Sequence, residues 1–129
     1  MKKLKLQLLE DKFTISKLPV FDDLPHIIAQ GEMCFTMRTD EEFTVITPEF
    51  MAPNNVQQEI GWRAIRVDGG IPFQASGVLE SMLRPLADAD IPIFAASTFN
   101  TDYVFFPEDQ MVNAVKALQQ AGHQFVHKE

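Results

Sequence analysis

Two short segments of the chain carry residue types that can bind a small charged molecule. The first consists of Ser76, Gly77, Val78 and Leu79, at the predicted start of a helix. The first amides of a helix have no partner within the helix and lie at the positive end of its dipole, so they can bind a carboxylate. Gly77 adds no side chain that would block this approach. A simpler interpretation is also open, in which Ser76 caps the helix and Gly69-Gly70 form a turn.

The second segment lies between two predicted strands and contains Thr98, Phe99, Asn100, Thr101 and Asp102. The Asp102 carboxylate can pair with an ammonium or guanidinium group. Thr98 and Asn100 can add hydrogen bonds, and Phe99 can supply an apolar wall. The alternative is a hairpin turn in which Asn100 and Asp102 satisfy nearby backbone groups.

The sequence offers little support for metal or nucleophile chemistry. His123 and His127 are four residues apart, which in a strand corresponds to about 13 Å, too far for one zinc ion. Cys34 lies in an apolar run and is therefore predicted to be a small buried residue. A nucleophile role is not expected, because the sequence offers no base that would activate the thiol. We therefore predict no metal, no cofactor and no catalytic residues.

The elements that must position the two segments follow from the hydrophobic periodicity of residues 62–127. Strands are predicted at 62–67, 91–97, 103–106 and 123–127, with helices beginning near 76 and 107. The run 91–97 is apolar enough to predict a central strand, and Pro85 is expected to kink or interrupt the first helix. The order strand, helix, strand, strand, helix, strand is that of the ferredoxin-like split βαβ.

The first half of the chain repeats the front part of this order. Residues 4–10 alternate as in a strand, a short helix is predicted to end at Gly31, and residues 32–38 and 43–47 form a hairpin. We therefore predict an α+β protein of two ferredoxin-like βαββαβ modules. The N-terminal module (1–60) is abbreviated, and the C-terminal module (61–129) is complete.

Composition narrows the classes of partner. The 129 residues carry 11 Lys+Arg against 18 Asp+Glu, a net charge of −7, which argues against nucleic-acid binding. A single cysteine excludes an intramolecular disulfide. No apolar run approaches the roughly 20 residues of a membrane-spanning helix. The expectation is a cytoplasmic protein with neither a nucleic-acid nor a membrane partner.

A family resemblance lies in the segment from Leu86 to Phe106. From Ile91 it reads IPIFAASTFNTDYVFF. It resembles the helix-to-hairpin segment of ACT-domain proteins, in the subgroup of small bacterial tandem-ACT proteins and CASTOR-type amino-acid sensors. That subgroup shows a pattern close to I-x-I-F-x-x-S-T-F/Y-x-T-D-Y/F. Residues 35–42, 61–67 and 121–123 are similar too, so the resemblance covers most of residues 12–126.

The resemblance implies paired ACT modules that bind a small molecule, usually an amino acid, at module interfaces. It implies a regulatory or sensing role without catalysis, and a homodimer or higher homo-oligomer. It favours ligand contacts at both segments. CASTOR-type arginine sites use an acidic residue just ahead of the first helix, where this sequence has Phe73, Gln74 and Ala75, so arginine specificity is not expected. The alternative is a structural or protein-interaction module with a degenerate, empty ligand site.

Overall fold

The computed structural model describes residues 2–71 and 75–126. Its strands are β1 (Lys5–Leu8), β2 (Phe13–Leu18), β3 (Phe35–Arg38), β4 (Phe43–Pro48), β5 (Gln57–Val67), β6 (Phe94–Ser97), β7 (Asp102–Pro107) and β8 (Gln124–Phe125). Its α-helices are α1 (His26–Ala29), α2 (Val78–Asp88) and α3 (Met111–Gln120), with 3-10 turns at Glu49–Met51 and Glu108–Gln110. The chain divides into two compact units. The larger unit comprises the residues up to Glu10 and those from Arg63 onward, and the smaller unit is Asp11–Trp62.

The larger unit has the predicted order from β5 to β8 and a ferredoxin-like architecture. Its strands lie in the order β6-β7-β5-β1-β8, and the apolar sides of α2 and α3 pack on the sheet. The buried side chains recur at helical spacing, as in Met82 and Leu86 of α2 and Ala114 and Leu118 of α3. Val112, which the sequence predicts to be buried, is 74% exposed. The face of α3 that is buried against the sheet is therefore narrower than the sequence predicts.

Strand β1 belongs to the larger unit, although the sequence predicts a module boundary at residue 60. β1 lies between β5 and β8, antiparallel to the first and parallel to the second, with Leu6 opposite both Val67 and Phe125. Leu6 is fully buried in the core of this unit. Burial of that side chain favours the placement of residues 2–10 in the larger unit.

Two further expectations for the larger unit are corrected. Strand β6 pairs with β7 and, among the described residues, with no second strand, so the predicted central strand lies at an edge. Helix α2 continues through Pro85. Proline has no N–H for the carbonyl of Ser81, one turn earlier, and the His123 Nε2 bonds that carbonyl oxygen instead at 2.6 Å. A side chain thus replaces the missing helical donor.

The smaller unit is an antiparallel arrangement in the order β3-β4-β2-β5, where β5 contributes its first residues. The predicted hairpin is present as β3 and β4, and its turn is closed by the Thr39 N–H donating to the Glu42 oxygen at 2.8 Å. Leu18, Phe43 and Val45 pack with Ile28 of α1 in a small core. None of the described helices is long and apolar enough to cross a membrane.

Two threonine hydroxyls are buried in the smaller unit without a hydrogen-bond partner among the described residues. Thr14 of β2 and Thr47 of β4 are opposite each other in the strand register, and both are fully buried. An unpaired buried hydroxyl costs free energy because the unfolded chain bonds it to water.

We expect Thr14→Val and Thr47→Val each to raise the free energy of unfolding by about 1 kcal/mol, because valine keeps the shape and removes the unpaired hydroxyl. Urea denaturation measures the change. Thr44→Val is the control, since the Thr44 hydroxyl donates to Glu42 at 2.9 Å and should give no such gain. A loss of stability in both buried variants would contradict this account.

Candidate functional site

A cleft of about 480 Å³ lies beside the loop that follows β5. The described residues that line it are Gly69, Gly70, Ile71 and Asn100. Gly69 and Gly70 have φ angles of +83° and +84°, in the left-handed region that other residues rarely adopt. The two glycines let the chain turn away from β5 and leave backbone, rather than side chains, at the wall of the cleft.

Two hydrogen bonds join this loop to the turn between β6 and β7. The Ile71 N–H donates to the Asn100 oxygen at 2.6 Å, and the Thr101 Oγ1 donates to the Val67 oxygen at 3.1 Å. They connect residues that are 29 to 34 positions apart in the sequence. Asn100, one of the predicted site residues, is therefore at the cleft.

The turn itself is closed by bonds between Thr98 and Thr101, rather than by the Asn100 and Asp102 side chains that the hairpin alternative names. The Thr98 N–H and hydroxyl both donate to the Thr101 oxygen, at 2.8 and 3.1 Å. Phe99, at the tip of the turn, is 82% exposed. Thr98 therefore stabilises the turn, while the Phe99 ring is accessible from solvent.

Asp102 is fixed by a neighbour across the same hairpin. The Ser97 hydroxyl donates to the Asp102 Oδ1 at 2.6 Å, where the two residues pair in the β6–β7 register. The bond uses one carboxylate oxygen. A hydroxyl donor orients a carboxylate without neutralising its charge, so Asp102 keeps the capacity to pair with a cation.

The first predicted segment begins helix α2, with one correction. Gly77, not Ser76, is the N-cap; its φ is +77°, and no side chain caps the helix. Val78 is buried in the core, so it can offer a ligand only its backbone, and Leu79 is half-buried against the same core. The approach of Gly77–Leu79 to the cleft stays a prediction. Of the residues just ahead of the helix, Phe73 and Gln74 lie outside the described part of the chain.

Sequence reasoning missed Asp68, which directly precedes the two glycines of the cleft. The Gln7 side-chain amide donates to the Asp68 Oδ1. Gln7 in turn accepts a bond from the Arg66 Nε at 2.7 Å, and an Arg66 terminal nitrogen donates to the Tyr103 hydroxyl at 3.1 Å. The Asp-Gly-Gly signal after a strand could have drawn attention to Asp68, but its partner Gln7 is 61 positions away.

Metal binding receives no support from the described residues, where no group of three or more His, Cys, Asp or Glu side chains could coordinate an ion. His123 is buried, with one ring nitrogen bonded to Ser81 and the other accepting the Leu4 N–H at 3.0 Å. His127 lies outside the described residues. Cys34 is half-buried in the smaller unit rather than fully buried.

Comparison with known proteins identifies the fold and family of the part that forms the cleft. A family profile described as the ACT domain matches residues 57–120. The chain contains an ACT domain. This domain includes β5, α2, β6, β7 and α3, and with them every described residue that lines the cleft.

The chain is also similar to CASTOR-type sensors over part of its length. The human protein named cytosolic arginine sensor for mTORC1 subunit 1 is 40% identical over 60 residues, which are 45% of this chain and 18% of that protein. The rat protein of the same name is 33% identical over 70 residues, 53% of this chain and 21% of that protein. Each match thus spans about a fifth of the relative's length.

Solved structures extend the similarity beyond the ACT domain. Protein Atu0741 from Agobacterium tumefaciens superposes with a TM-score of 0.90 and 25% identity, covering 100% of this chain and 96% of that one. The regulatory subunit of aspartate kinase from Thermus thermophilus gives a TM-score of 0.66 at 15% identity, covering 93% and 99% of the two chains. The second similarity concerns the fold alone.

Proposed function

We propose that this protein is a non-catalytic regulatory or sensor protein that binds an amino acid or a similar small zwitterion at an interface between ACT modules. The observation that carries the proposal is the pair of hydrogen bonds that join Asn100 and Thr101 to the glycine loop. They bring a cleft that is lined in part by the backbone of Gly69 and Gly70 next to the hairpin whose Asp102 carboxylate is already oriented by Ser97.

The proposed pose follows from charge. The ligand carboxylate would lie on the amides of Gly77–Leu79, at the positive end of the α2 dipole. Its ammonium group, or a cationic side chain, would pair with Asp102. Asn100 would add hydrogen bonds, and Phe99 would cover apolar parts of the ligand. Ser76 and Thr98 would belong to the site because they lie next to residues that are proposed to contact the ligand.

We also propose that the N-terminal part of the chain, predicted as a module over residues 1–60 and observed as the unit Asp11–Trp62, is an abbreviated second ACT module. The chain would then be a tandem-ACT protein, and we propose a cytoplasmic location for it. Homodimers or higher homo-oligomers would pair such modules and complete their sites. A ligand that bridges two modules would favour the paired arrangement over the open one, which is the physical basis of a regulatory response. No enzymatic activity, cofactor, nucleic acid or membrane enters this proposal.

Isothermal titration calorimetry with each proteinogenic amino acid tests the proposal. We expect at least one amino acid to bind with a dissociation constant below about 1 mM, which corresponds to about 4 kcal/mol of binding free energy. If none binds more tightly than that, the sensor function is wrong for this protein.

The second candidate function is a structural or protein-interaction module with a degenerate, empty ligand site. The observation in its favour is that Thr98 and Thr101 already hydrogen-bond to each other within the turn. A dimer of fixed mass whose melting temperature does not respond to any amino acid would favour this alternative.

Glycine replacement separates the binding role of Gly77 from its role in stability. Gly77→Ala is expected to cost about 1 kcal/mol of unfolding free energy, because its φ of +77° is strained for alanine. Gly61→Ala is the matched control, since Gly61 has a φ of +76° and, as at Gly77, an added Cβ would have no described atom within 4 Å apart from its chain neighbours. Thermal denaturation should show similar losses for both variants.

Calorimetry then distinguishes the two glycines. Only Gly77→Ala should weaken amino-acid binding, because its methyl group would lie beside the proposed carboxylate position. Equal affinities for the two variants would contradict the role of the α2 amides in the site.

A further inference from the structure

Exposed apolar side chains are concentrated in the smaller unit. Of the seven large apolar residues that are exposed among the described residues, five lie in this unit, although it is the smaller of the two. They are Phe21, Ile27, Met37, Phe50 and Ile60. A single exposed apolar side chain is ordinary, whereas several on one part of a protein mark a surface that binds a partner.

Phe21 is presented to solvent by a segment that is fixed on both sides of it. The Arg38 guanidinium donates to the backbone oxygens of Val20 and Asp22, the two neighbours of Phe21 in the chain. The same guanidinium lies over the Phe43 ring, 4.0 Å from its centroid. The backbone around Phe21 is therefore attached to the β3–β4 hairpin, while the side chain itself is 90% exposed.

Two more exposed apolar residues lie at helix α1. Ile28 of this helix is buried in the small core, and the adjacent Ile27 is exposed. At the other end of the helix, the Met51 thioether fills the space where a side chain on Gly31 would lie. The 3-10 turn that ends at Met51 thus packs against the end of α1, and Phe50 in the middle of that turn is 80% exposed.

Acidic residues flank these apolar side chains, and the smaller unit carries most of the net charge. It has nine Asp+Glu against three Lys+Arg, a formal charge of −6 out of −7 for the whole chain. Asp22 and Asp23 follow Phe21 directly, and Glu49 directly precedes Phe50. All three acids are exposed. The surface around α1 therefore combines protruding apolar side chains with an excess of negative charge.

The apolar and acidic residues described above define a surface that we call the α1 surface. It consists of Phe21, Ile27, Phe50, Asp22, Asp23 and Glu49. We propose that the α1 surface binds a basic segment of a partner protein, in which Lys or Arg residues lie next to apolar ones. The basic residues would pair with the acids, and apolar side chains of the partner would cover the two protruding rings.

Charge and position distinguish this role from those already described. A second copy of the chain is a poor occupant, because two α1 surfaces would bring like charges together. The described residues that line the amino-acid cleft all belong to the larger unit, whereas the α1 surface belongs to the smaller one. The docking role thus goes beyond the proposed function and does not depend on it.

Fluorescence anisotropy with labelled model peptides tests the proposal on the full chain, without any amino acid. The main probe is a peptide of about 14 leucine and lysine residues, patterned as an amphipathic helix of roughly four turns. One control peptide has glutamate in place of lysine, and the other has serine in place of leucine. We expect the Leu/Lys peptide to bind with a Kd below about 100 μM, and both controls to bind at least about tenfold more weakly. Absence of binding, or equal binding of the Lys/Ser peptide, would overturn the proposal.

Substitution of the exposed rings locates the binding. Phe21→Ser and Phe50→Ser should each weaken binding of the Leu/Lys peptide about fivefold, because each ring is a proposed contact. The melting temperature should not fall, since both rings are exposed in the free protein. Phe99→Ser is the matched control, because Phe99 is 82% exposed but lies in the larger unit. Equal affinities for all three variants would contradict the assignment of the α1 surface.

The acids are tested in the same way. Asp22→Asn combined with Asp23→Asn should weaken binding about fivefold and reduce its dependence on salt, because the pair is proposed to attract the basic residues of the partner. Asp88→Asn combined with Asp90→Asn removes two exposed acids from the larger unit and is the control for overall charge. If the control pair weakens binding as much, attraction is not specific to the α1 surface and the proposal is wrong.

Sedimentation equilibrium tests the other possible occupant, a second copy of this chain. We expect Phe21→Ser and Phe50→Ser to leave the mass of the protein in solution unchanged. Dissociation of a dimer by these substitutions would show that the α1 surface pairs with itself, which would overturn the proposal. No amino acid enters any of these measurements, so their outcome is independent of whether the sensor function is correct.

Discussion

Replacement of His123 by leucine is expected to lower the free energy of unfolding by about 3 kcal/mol. Leucine fits a buried position, but it leaves the Leu4 N–H and the Ser81 carbonyl without their partners. Each orphaned group loses the hydrogen bond that water would give it in the unfolded chain. Urea denaturation followed by circular dichroism measures the loss.

A double-mutant cycle with Pro85→Ala tests the physical reason for this loss. Alanine at position 85 supplies the helical N–H that the Ser81 carbonyl lacks in the wild type. We expect Pro85→Ala to be more favourable by about 1 kcal/mol in the His123→Leu background than in the wild type, because there it satisfies an orphaned carbonyl. Strictly additive effects would show that His123 does not substitute for the missing donor.

His123 and Pro85 also show which contacts cannot be predicted from the sequence. Pro85 predicts a kinked or interrupted helix, because local rules consider only the N–H donors of the helix itself. The donor that keeps α2 continuous comes from His123, 38 positions further on, and residue patterns contain no signal for such a contact. Strand β1 is a similar case. Its alternation predicts a strand, but its place between β5 and β8 depends on pairing with residues about 60 and 120 positions away.

Local sequence patterns predicted the helices and strands of the ACT domain better than they predicted the contacts between those elements. The period of the apolar residues gives both long helices and the strands of the larger unit, and the hairpin at 35–48 follows from β-rich runs around a polar turn. At the candidate site, residue types single out the segment around Asn100, and the structure places Asn100 at the cleft, while its role in binding stays a prediction. The predicted cap at Ser76 is wrong, because the N-cap of α2 is Gly77, whose backbone is left-handed.

The second large expected effect is the loss of amino-acid binding when Asp102 is replaced. Asp102→Ala should weaken amino-acid binding by roughly tenfold to a hundredfold, because a charge-assisted hydrogen bond is worth about 1.5–3 kcal/mol. Stability should change little, since the hydrogen bond that this carboxylate accepts from the Ser97 hydroxyl is exposed to solvent. Calorimetry and thermal denaturation of the same samples measure the two quantities.

Two further variants make the Asp102 result specific. Asp102→Asn keeps an oxygen that can accept from Ser97 but removes the charge, so it should bind nearly as weakly as Asp102→Ala if the ligand is cationic at that point. Asp40→Ala removes an exposed acid from the other hairpin turn and lowers the net negative charge equally, so it controls for long-range attraction. An amino acid that binds the wild type and Asp102→Ala with equal affinity would show that its cationic group lies elsewhere. Asp68, fixed by Gln7 beside the cleft glycines, would then be the acid to test next.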